Sequence, residues 1–109
     1  MTPTQRSLAR LRADGYLAEV VERWNPHAKV RHDLFGLVDV LALRAGQVLG
    51  VQATSRSNVS ARVVKLRSHA NLLPVLRAGI AVQVWGWARM SSGRVELRVV
   101  DMAEHLEST

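Results

Sequence analysis

The stretch Asp33–Thr54, DLFGLVDVLALRAGQVLGVQAT, decides the fold. It contains two nearly continuous apolar runs, Leu37–Leu43 and Val48–Thr54, which are joined by the turn Arg44–Gln47. Apolar runs of this length, rich in Val and Leu and separated by a glycine turn, are typical of strands that are buried on both faces of a sheet. We therefore predict two buried strands that can pair as a hairpin.

Two polar side chains interrupt these runs, Asp39 in the first and Gln52 in the second. Because side chains alternate along a strand, Asp39 shares a face with its second neighbours, and Gln52 shares one with Thr54. In a hairpin, Asp39, Gln52 and Thr54 could converge at one end of the sheet. Asp39 could cap a turn there while Gln52 satisfies backbone groups, or the two could belong to a metal site.

The length and composition limit what such a site can serve. The 109 residues predict one domain, residues 1–109, and the 48% of hydrophobic residues exclude a wholly disordered chain. The absence of cysteine excludes disulfides, thiolate zinc sites and cysteine nucleophiles. No apolar run approaches the ~20 residues of a membrane helix, and the N-terminus lacks the apolar core of a signal peptide. We expect a cytoplasmic protein that does not enter a membrane.

The net charge points to a polyanionic partner. Fifteen Lys and Arg against nine Asp and Glu give a formal charge of +6, and arginine supplies most of the cations. Such an excess favours DNA or RNA as a partner through phosphate contacts, although biased codon usage also enriches arginine.

The segments that precede the central stretch are predicted from caps and alternation. A helix capped by Thr2 or Thr4 ends at about Asp14, before Gly15. The alternation over Tyr16–Trp24 favours a strand, with a continued helix as the rival interpretation. Asn25–Gly36 is predicted to be a polar connection, in which His27, Lys29, Arg31 and His32 could hold a phosphate or form a solvated loop.

The segments that follow return first to helix and then to strand. The predicted elements are a helix at Asn58–His69, a short helix at Leu72–Arg77, and strands at Ile80–Trp87 and Arg94–Met102. The residues from Ala103 onward are expected to fray. Trp85 and Trp87 could stack on bases, but we favour the interpretation that they cover an apolar sheet face or a dimer contact.

The predicted order is therefore α-β-β-β-α-β-β. This order resembles that of the PD-(D/E)XK nuclease superfamily, and especially of its small archaeal-type Holliday junction resolvases. The resemblance rests on Asp39 on the second strand and Gln52-Ala53-Thr54 on the third, and it covers Gln5–Trp87. The resemblance implies an α/β, restriction-endonuclease-like fold, a mixed β-sheet flanked by helices. The segment Arg31–Gly36 is also similar to one found in uncharacterised phage and bacterial proteins.

The resemblance assigns roles to individual residues. Asp39 matches the first metal-binding acid of the superfamily, Gln52 stands where the second acid would be, and Thr54 stands in place of the lysine. Lys65, or failing that Arg62, could supply the relocated cation.

The resemblance also requires a further acid in this set. Glu22 is the first candidate, and Asp33 is the second. The implied catalytic residues are Asp39, Gln52, Lys65 and Glu22. The implied ligands of Mg²⁺, or of Mn²⁺ in its place, are Asp39, Gln52, Glu22 and Asp33. The expected DNA contacts are Arg6, Arg10, Arg31, His32, Arg56, Asn58, Arg62 and Lys65.

Three functions stay open at this point. The first is a metal-dependent endonuclease that acts as a homodimer on branched or structured DNA. The second is a catalytically lapsed module of nuclease fold that binds nucleic acid or a protein partner. The third is an interaction protein that uses exposed Trp85 and Trp87. The sequence contains no zincin spacing of histidines, no glycine-rich phosphate loop after a strand and no nucleophile elbow.

Overall fold

The computed structural model describes residues 1–106, which form a mixed five-stranded sheet with helices on both faces and a separate two-stranded sheet. The helices are α1 (Pro3–Ala13), α2 (Val59–Arg67) and α3 (Leu72–Arg77). The strands are β1 (Leu17–Val20), β2 (Arg23–Asn25), β3 (Val30–His32), β4 (Val40–Arg44), β5 (Gln47–Ser55), β6 (Ile80–Arg89) and β7 (Val95–Asp101). Single 3₁₀ turns cover Arg56–Asn58 and Met102–His105. Among residues 1–106, no helix is long and apolar enough to cross a bilayer.

The five-stranded sheet has the order β1-β4-β5-β6-β7. Only β5 and β6 are parallel, and α2 and α3 form the connection between them; the other neighbours pair antiparallel. The predicted mixed α/β sheet flanked by helices is confirmed. The five strands of this sheet also follow one another in the predicted order, with the main helical segment between the third and the fourth.

The strand β5 lies at the centre and separates two cores. Its side chains from Leu49 to Thr54 are all buried, as the continuous apolar run predicts. Leu49 and Val51 pack on the α1 side with Leu11, which is fully buried. The alternate positions, among them Gln52, therefore face α2. This face carries the polar side chains that the sequence singles out.

The helix α1 is fixed at both ends by local chemistry. Thr2 is its N-cap: the Thr2 side chain accepts a hydrogen bond from the Gln5 backbone N–H at 3.1 Å, and the Gln5 side chain accepts one from the Thr2 N–H at 3.0 Å. This reciprocal pair satisfies two N–H groups that have no partner within the helix. Gly15 follows the helix with φ +90°, so the predicted stop is also confirmed.

Trp85 and Trp87 cover the α1 face of the sheet. Their rings meet edge to face with centroids 6.4 Å apart, and Trp85 is only 6% exposed. The Trp87 indole N–H donates to Ser7 Oγ on α1 at 2.9 Å. Of the two favoured interpretations, the apolar sheet face is confirmed, and the dimer contact stays a prediction. Stacking on bases and docking through an exposed tryptophan pair are both wrong for these two residues, because α1 occupies that surface.

The predicted strand Tyr16–Trp24 is wrong as a single element. The chain leaves the main sheet after Val20, and the Val21 N–H makes a last bond to the Asp39 carbonyl at 2.8 Å. From Arg23 the chain pairs instead with residues 30–32, which the sequence reading assigned to the polar connection Asn25–Gly36. Alternation persists through both strands, so the pattern alone does not show the break between them.

The predicted strand Leu37–Leu43 begins later than expected. Residues 34–38 form a tight turn that is closed by a Leu34–Val38 bridge and includes positive φ values at Phe35 and Gly36. Leu37 and Val38 are nevertheless fully buried in the core on the α2 side. Their apolar character therefore reflects burial of a turn rather than strand pairing.

The expected fraying from Ala103 onward is wrong for the first residues of the tail. Met102 is fully buried on the α2 side, and Asp101 Oδ1 accepts a hydrogen bond from the Ala103 N–H at 2.9 Å. The single 3₁₀ turn Met102–His105 is therefore held in place. Residues 107–109 of the predicted tail lie outside the described residues.

Candidate metal and nucleic-acid site

Three carboxylates meet at one end of the main sheet. Glu22 directly precedes β2, Asp33 directly follows β3, and Asp39 directly precedes β4. One oxygen from each lies within 4.8 Å of the other two. Asp39 is buried, with 4% of its surface exposed, whereas Glu22 and Asp33 are half-buried. We call Glu22, Asp33 and Asp39 the acidic cluster; its members are the three acids that the sequence reading assigned to a metal.

The backbone fixes Asp39 between two strands. Its N–H donates to the Val51 carbonyl at 2.8 Å, and its carbonyl accepts from the Val21 N–H at 2.8 Å. Its side-chain Oδ2 accepts from the Ala53 N–H at 2.9 Å. Asp39 therefore links β1 to β5, and its carboxyl group has a defined position before any ligand binds.

The environment of Asp39 opposes its negative charge. Burial raises the pKa of Asp39 to about 8, aided by the hydrogen bond with Asp33 and by the negative charges of Asp33 and Glu22, while the Ala53 N–H acts in the opposite direction. In the free protein the carboxyl group of Asp39 therefore holds its proton to a higher pH than an ordinary aspartate does. A bound cation would favour the ionised carboxylate and displace this proton.

Gln52 organises the second side of the site. Its side chain is 2% exposed; the Nε2 group donates to the Leu37 carbonyl at 2.7 Å and to Asp33 Oδ2 at 3.2 Å. Its Oε1 atom accepts a hydrogen bond from Arg62 Nη1. Gln52 thus holds Asp33 in place from a position next to Asp39, and its one side-chain oxygen is already engaged with a guanidinium.

The two predicted cations of α2 lie in different surroundings. Arg62 is half-buried and reaches the site through Gln52, whereas Lys65, three residues later, is exposed. Thr54, which the resemblance drawn from the sequence sets in place of a lysine, is 4% exposed. The structure therefore places Arg62 beside the acidic cluster, and a role for Lys65 stays a prediction.

A cleft gives access to the acidic cluster. Its volume is about 540 Å³, and its walls include Glu22, Asp33, Arg23 and His32. Arg31 lies beside it and forms an ion pair with Glu22 at 3.2 Å, although its own side chain is 69% exposed. A ligand that enters this cleft therefore meets both carboxylates and basic side chains in its walls.

The predicted DNA contacts do not form a single surface. Arg6 and Arg10 lie on α1, across the sheet from α2, and Arg10 pairs with Asp14 at 3.1 Å. Arg56 pairs with Glu96 at 2.9 Å. The residues of the predicted set that lie beside the acidic cluster are Arg31, His32 and Arg62. Asn58, which precedes α2, and Lys65, in the last turn of α2, are exposed.

Sequence reasoning missed the hairpin of β2 and β3. The missed residues with functional character are Arg23, which lines the cleft, and Trp24, which is 58% exposed. The signal was present in Asn25-Pro26, a dipeptide that marks turns. In the structure Asn25 Oδ1 accepts from the backbone N–H groups of His27 at 2.9 Å and Ala28 at 3.2 Å, and this closes the turn.

The arrangement as a whole joins hard oxygen donors with a nearby arginine. Carboxylate oxygens are the ligands that Mg²⁺ and Mn²⁺ prefer, and an arginine beside them can bind phosphate. The site is built from Glu22, Asp33, Asp39, Gln52 and Arg62, which come from the segments around β2 to β5 and from α2. No model of a protein family matches this chain, and no curated protein or solved structure matches it either.

Proposed function

We propose that the protein is a divalent-metal-dependent DNA endonuclease whose cation is held by Glu22, Asp33 and Asp39. The observation that carries this proposal is the convergence of three carboxylate oxygens within 4.8 Å of one another, beside an open cleft that Glu22 and Asp33 line. Such a cluster repels itself when it is ionised; burial first, and then the hydrogen bond with Asp33 and the charges of Asp33 and Glu22, raise the pKa of Asp39 to about 8. A divalent cation relieves the repulsion.

The topology supports a restriction-endonuclease-like fold. An antiparallel unit, β1-β4-β5, is followed by a helical connection to β6, which pairs parallel to β5. Asp39 directly precedes β4 and Gln52 lies on β5, close to the placement that the resemblance to PD-(D/E)XK nucleases leads one to expect. The register supports this placement, because Val40 pairs with Val51 and the next position outward brings Asp39 beside Gln52.

The donor set fits Mg²⁺ or Mn²⁺. When bound, such an ion lowers the pKa of a coordinated water and neutralises charge on the phosphate oxygens. The protein contributes the positions of the ligands: Ala53 N–H orients Asp39, and Gln52 Nε2 orients Asp33. Asp39 must lose its proton before it acts as a ligand, so binding of the ion releases a proton and strengthens as the pH rises.

Gln52 and Arg62 support the three carboxylates in two different ways. Gln52 is a positioning residue, because its amide holds Asp33 and its oxygen is engaged with Arg62. Arg62 supplies the positive charge that the lysine supplies in the superfamily. A fixed guanidinium beside the scissile phosphate stabilises charge as it develops in the transition state.

The proposed assembly is a homodimer, as the resemblance implies. The strand β1 is an edge of the main sheet, and the apolar side chains of Leu17, Val20 and Leu43 at this edge are exposed. A two-fold pair of chains would bring two sites to the two strands of one DNA molecule. The mass of the protein in solution, measured by light scattering, tests this part separately from the chemistry.

A second function is favoured by one specific observation. Thr54 occupies the lysine position, and the side-chain oxygen of Gln52 is engaged by Arg62 rather than directed at a ligand. Both features are expected of a nuclease fold that binds nucleic acid without cleaving it. This non-catalytic module is the alternative that the following experiment separates from the endonuclease.

The experiment is cleavage of end-labelled single-stranded, duplex and four-way-junction DNA with Mg²⁺, with Mn²⁺ and with chelator. The wild type is compared with Asp39→Asn, and with Asp14→Asn as a control for loss of a carboxylate at an exposed position. We expect metal-dependent cleavage that is lost only in Asp39→Asn. Binding of DNA without cleavage under either metal would instead establish the non-catalytic module. Cleavage that persists in Asp39→Asn would overturn the assignment of the site.

A further inference from the structure

The strands β2 and β3 form a small hairpin with an excess of basic side chains, one of which, Arg31, pairs with Glu22. Residues 23–32, which we call the basic hairpin, include Arg23, Lys29 and Arg31 as well as two histidines, and they contain no carboxylate. The hairpin forms its own two-stranded sheet, and nearly all of its side chains are exposed. It therefore presents positive charge to the solvent with little packing of its own to account for its composition.

The basic hairpin begins and ends at the acidic cluster. Glu22 immediately precedes it, Asp33 immediately follows it, and Arg23 pairs in register with His32 at its base. The next pair outward is Trp24 with Arg31. Since a strand rises about 3.3 Å per residue, Trp24 lies roughly 7 Å along the chain from Glu22. This separation is on the scale of one nucleotide of an extended strand.

Two clefts meet at the base of the hairpin. The cleft of about 540 Å³ leads to Glu22 and Asp33, and a second cleft of about 240 Å³ is bounded by Trp24, Asn25 and Pro26. Arg23 and His32 line both of them. A chain-like ligand that follows these surfaces would therefore pass from the carboxylates, past an arginine and a histidine, to the face of a tryptophan.

Trp24 differs from the other two tryptophans. It is 58% exposed, whereas Trp85 is 6% exposed and Trp87 is held by Ser7 beneath α1. An exposed indole flanked by cations and free of acidic neighbours within the hairpin is complementary to a base with its phosphate. Bases stack on aromatic rings regardless of their identity, and arginine binds the adjacent phosphate.

We propose that Trp24 stacks on an unpaired base of the substrate, while Arg23 and His32 contact the phosphate between that base and the acidic cleft. The inference rests on the proposed endonuclease and names its substrate class as DNA with unpaired nucleotides next to the cleaved bond. A base inside a continuous duplex has both faces covered by its neighbours. Trp24 therefore discriminates in favour of single-stranded, flapped or branched DNA.

The test is binding in the presence of chelator, so that no cleavage occurs. Dissociation constants are measured by anisotropy for a labelled single strand, a flapped duplex and a blunt duplex. For Trp24→Ala we expect binding to the single strand and to the flap to weaken on the order of tenfold, with the duplex nearly unchanged. Trp24→Phe should retain most of the affinity. Arg23→Ala should also weaken binding, through loss of its phosphate contact. Arg98→Ala is the matched control for loss of an exposed cation, because β7 lies at the edge of the sheet opposite to β1.

Indole fluorescence supplies a second measurement. Trp85 is buried, and Trp87 is half-buried with its indole N–H bonded to Ser7. An unlabelled oligonucleotide should therefore quench the wild type and Trp85→Phe, but not Trp24→Ala. Circular dichroism and thermal unfolding show whether each variant is folded. Quenching that survives in Trp24→Ala, or equal losses of affinity for flap and blunt duplex, would overturn the proposal.

The outcomes also separate this proposal from the endonuclease itself. Trp24-dependent binding without cleavage under any metal would retain the role of the hairpin and reject the nuclease. Metal-dependent cleavage of flapped DNA at an unchanged rate by Trp24→Ala would retain the nuclease and reject the role of the hairpin.

Discussion

Arg62 on α2 donates a hydrogen bond from Nη1 to the side-chain oxygen of Gln52 on β5. Through the other end of the same amide, Gln52 donates to Asp33 at 3.2 Å. A cation and an anion are thus held on opposite ends of one neutral side chain. The amide can hold both residues only because its nitrogen donates to Asp33 while its oxygen accepts from Arg62.

Gln52→Glu should make the protein dependent on metal for its stability. The new carboxylate keeps the contact with Arg62, but its second oxygen faces the Leu37 carbonyl and Asp33, where Nε2 now donates. In chelator we expect a loss of ~1–3 kcal/mol in the free energy of unfolding, the cost of unpaired buried polar groups. Mn²⁺ should then raise the melting temperature more than it does in the wild type, because a fourth carboxylate has joined the site.

Gln47→Glu is the matched control for this substitution. Gln47 Oε1 also accepts from an arginine, Arg44, at 3.1 Å and 3.0 Å, but Gln47 lies exposed at the start of β5. We expect thermal unfolding of this variant to respond to Mn²⁺ as the wild type does. An identical response of both glutamate variants would show that Gln52 lies outside the metal environment.

Arg62→Met should cost more activity than Lys65→Met. Arg62 is hydrogen-bonded to Gln52, whereas Lys65 is exposed. Loss of one charge that stabilises the transition state lowers kcat by roughly 10²–10³-fold, and Arg62→Lys should recover part of that loss. Turnover of the best-cleaved DNA in Mg²⁺ gives the comparison. A larger loss in Lys65→Met would assign the catalytic cation to Lys65.

The contribution of Asp39 to the stability of the wild type should fall as the pH rises from about 4 to 8. The pKa of Asp39 is raised from 3.8 to about 8, so in this range the folded protein binds more protons than the unfolded chain. Urea unfolding in chelator at pH 5 and pH 8 measures the effect. Asp39→Asn should flatten the dependence, since the amide can still accept from the Ala53 N–H. Equal slopes for the two proteins would mean that Asp39 titrates normally.

Gly36→Ala should weaken metal binding beyond its cost in stability. Gly36 has φ +76°, and an added Cβ would lie 2.7 Å from His69 Nε2, so either the His69 side chain or the turn that follows Asp33 must shift. Gly46→Ala is a matched control, because Gly46 has φ +74° and no atom within 4 Å of an added Cβ. Both variants carry a similar backbone penalty of about 1 kcal/mol.

Calorimetric titration with Mn²⁺ tells the two glycine variants apart. We expect weaker binding for Gly36→Ala and an unchanged affinity for Gly46→Ala. If both variants bind Mn²⁺ equally, the turn at residues 33–36 does not position the metal ligands.

Much of the central fold follows from pattern alone. The long apolar run at Val48–Thr54 predicts β5, because a strand covered on both faces needs apolar side chains at nearly every position. Asp39 and Gln52 stand out in that context, since a buried polar group requires a partner. The N-cap role of Thr2 can also be predicted from the sequence, because an N-cap is a local interaction between residues three apart.

The rest of the site depends on contacts that no local pattern encodes. The strands β2 and β3 have three residues each, too few for an alternation that is distinct from that of β1. Arg62 and Lys65 lie on the same polar side of α2, and only the packing of that helix decides which of them reaches Gln52. The exposure of Trp24 and the burial of Trp85 are likewise set by where the chain leaves the sheet and where α1 lies.

The strand β6, which pairs parallel to β5, follows the whole acidic cluster along the chain. It also follows Gln52 and Arg62. Contacts between residues that are close in sequence form with a small loss of loop entropy, whereas parallel strands must wait for a long crossover. The groups that would bind metal can therefore meet while the C-terminal strands are still unpaired. During synthesis, a divalent cation could stabilise the first part of the chain before β6 and β7 complete the sheet.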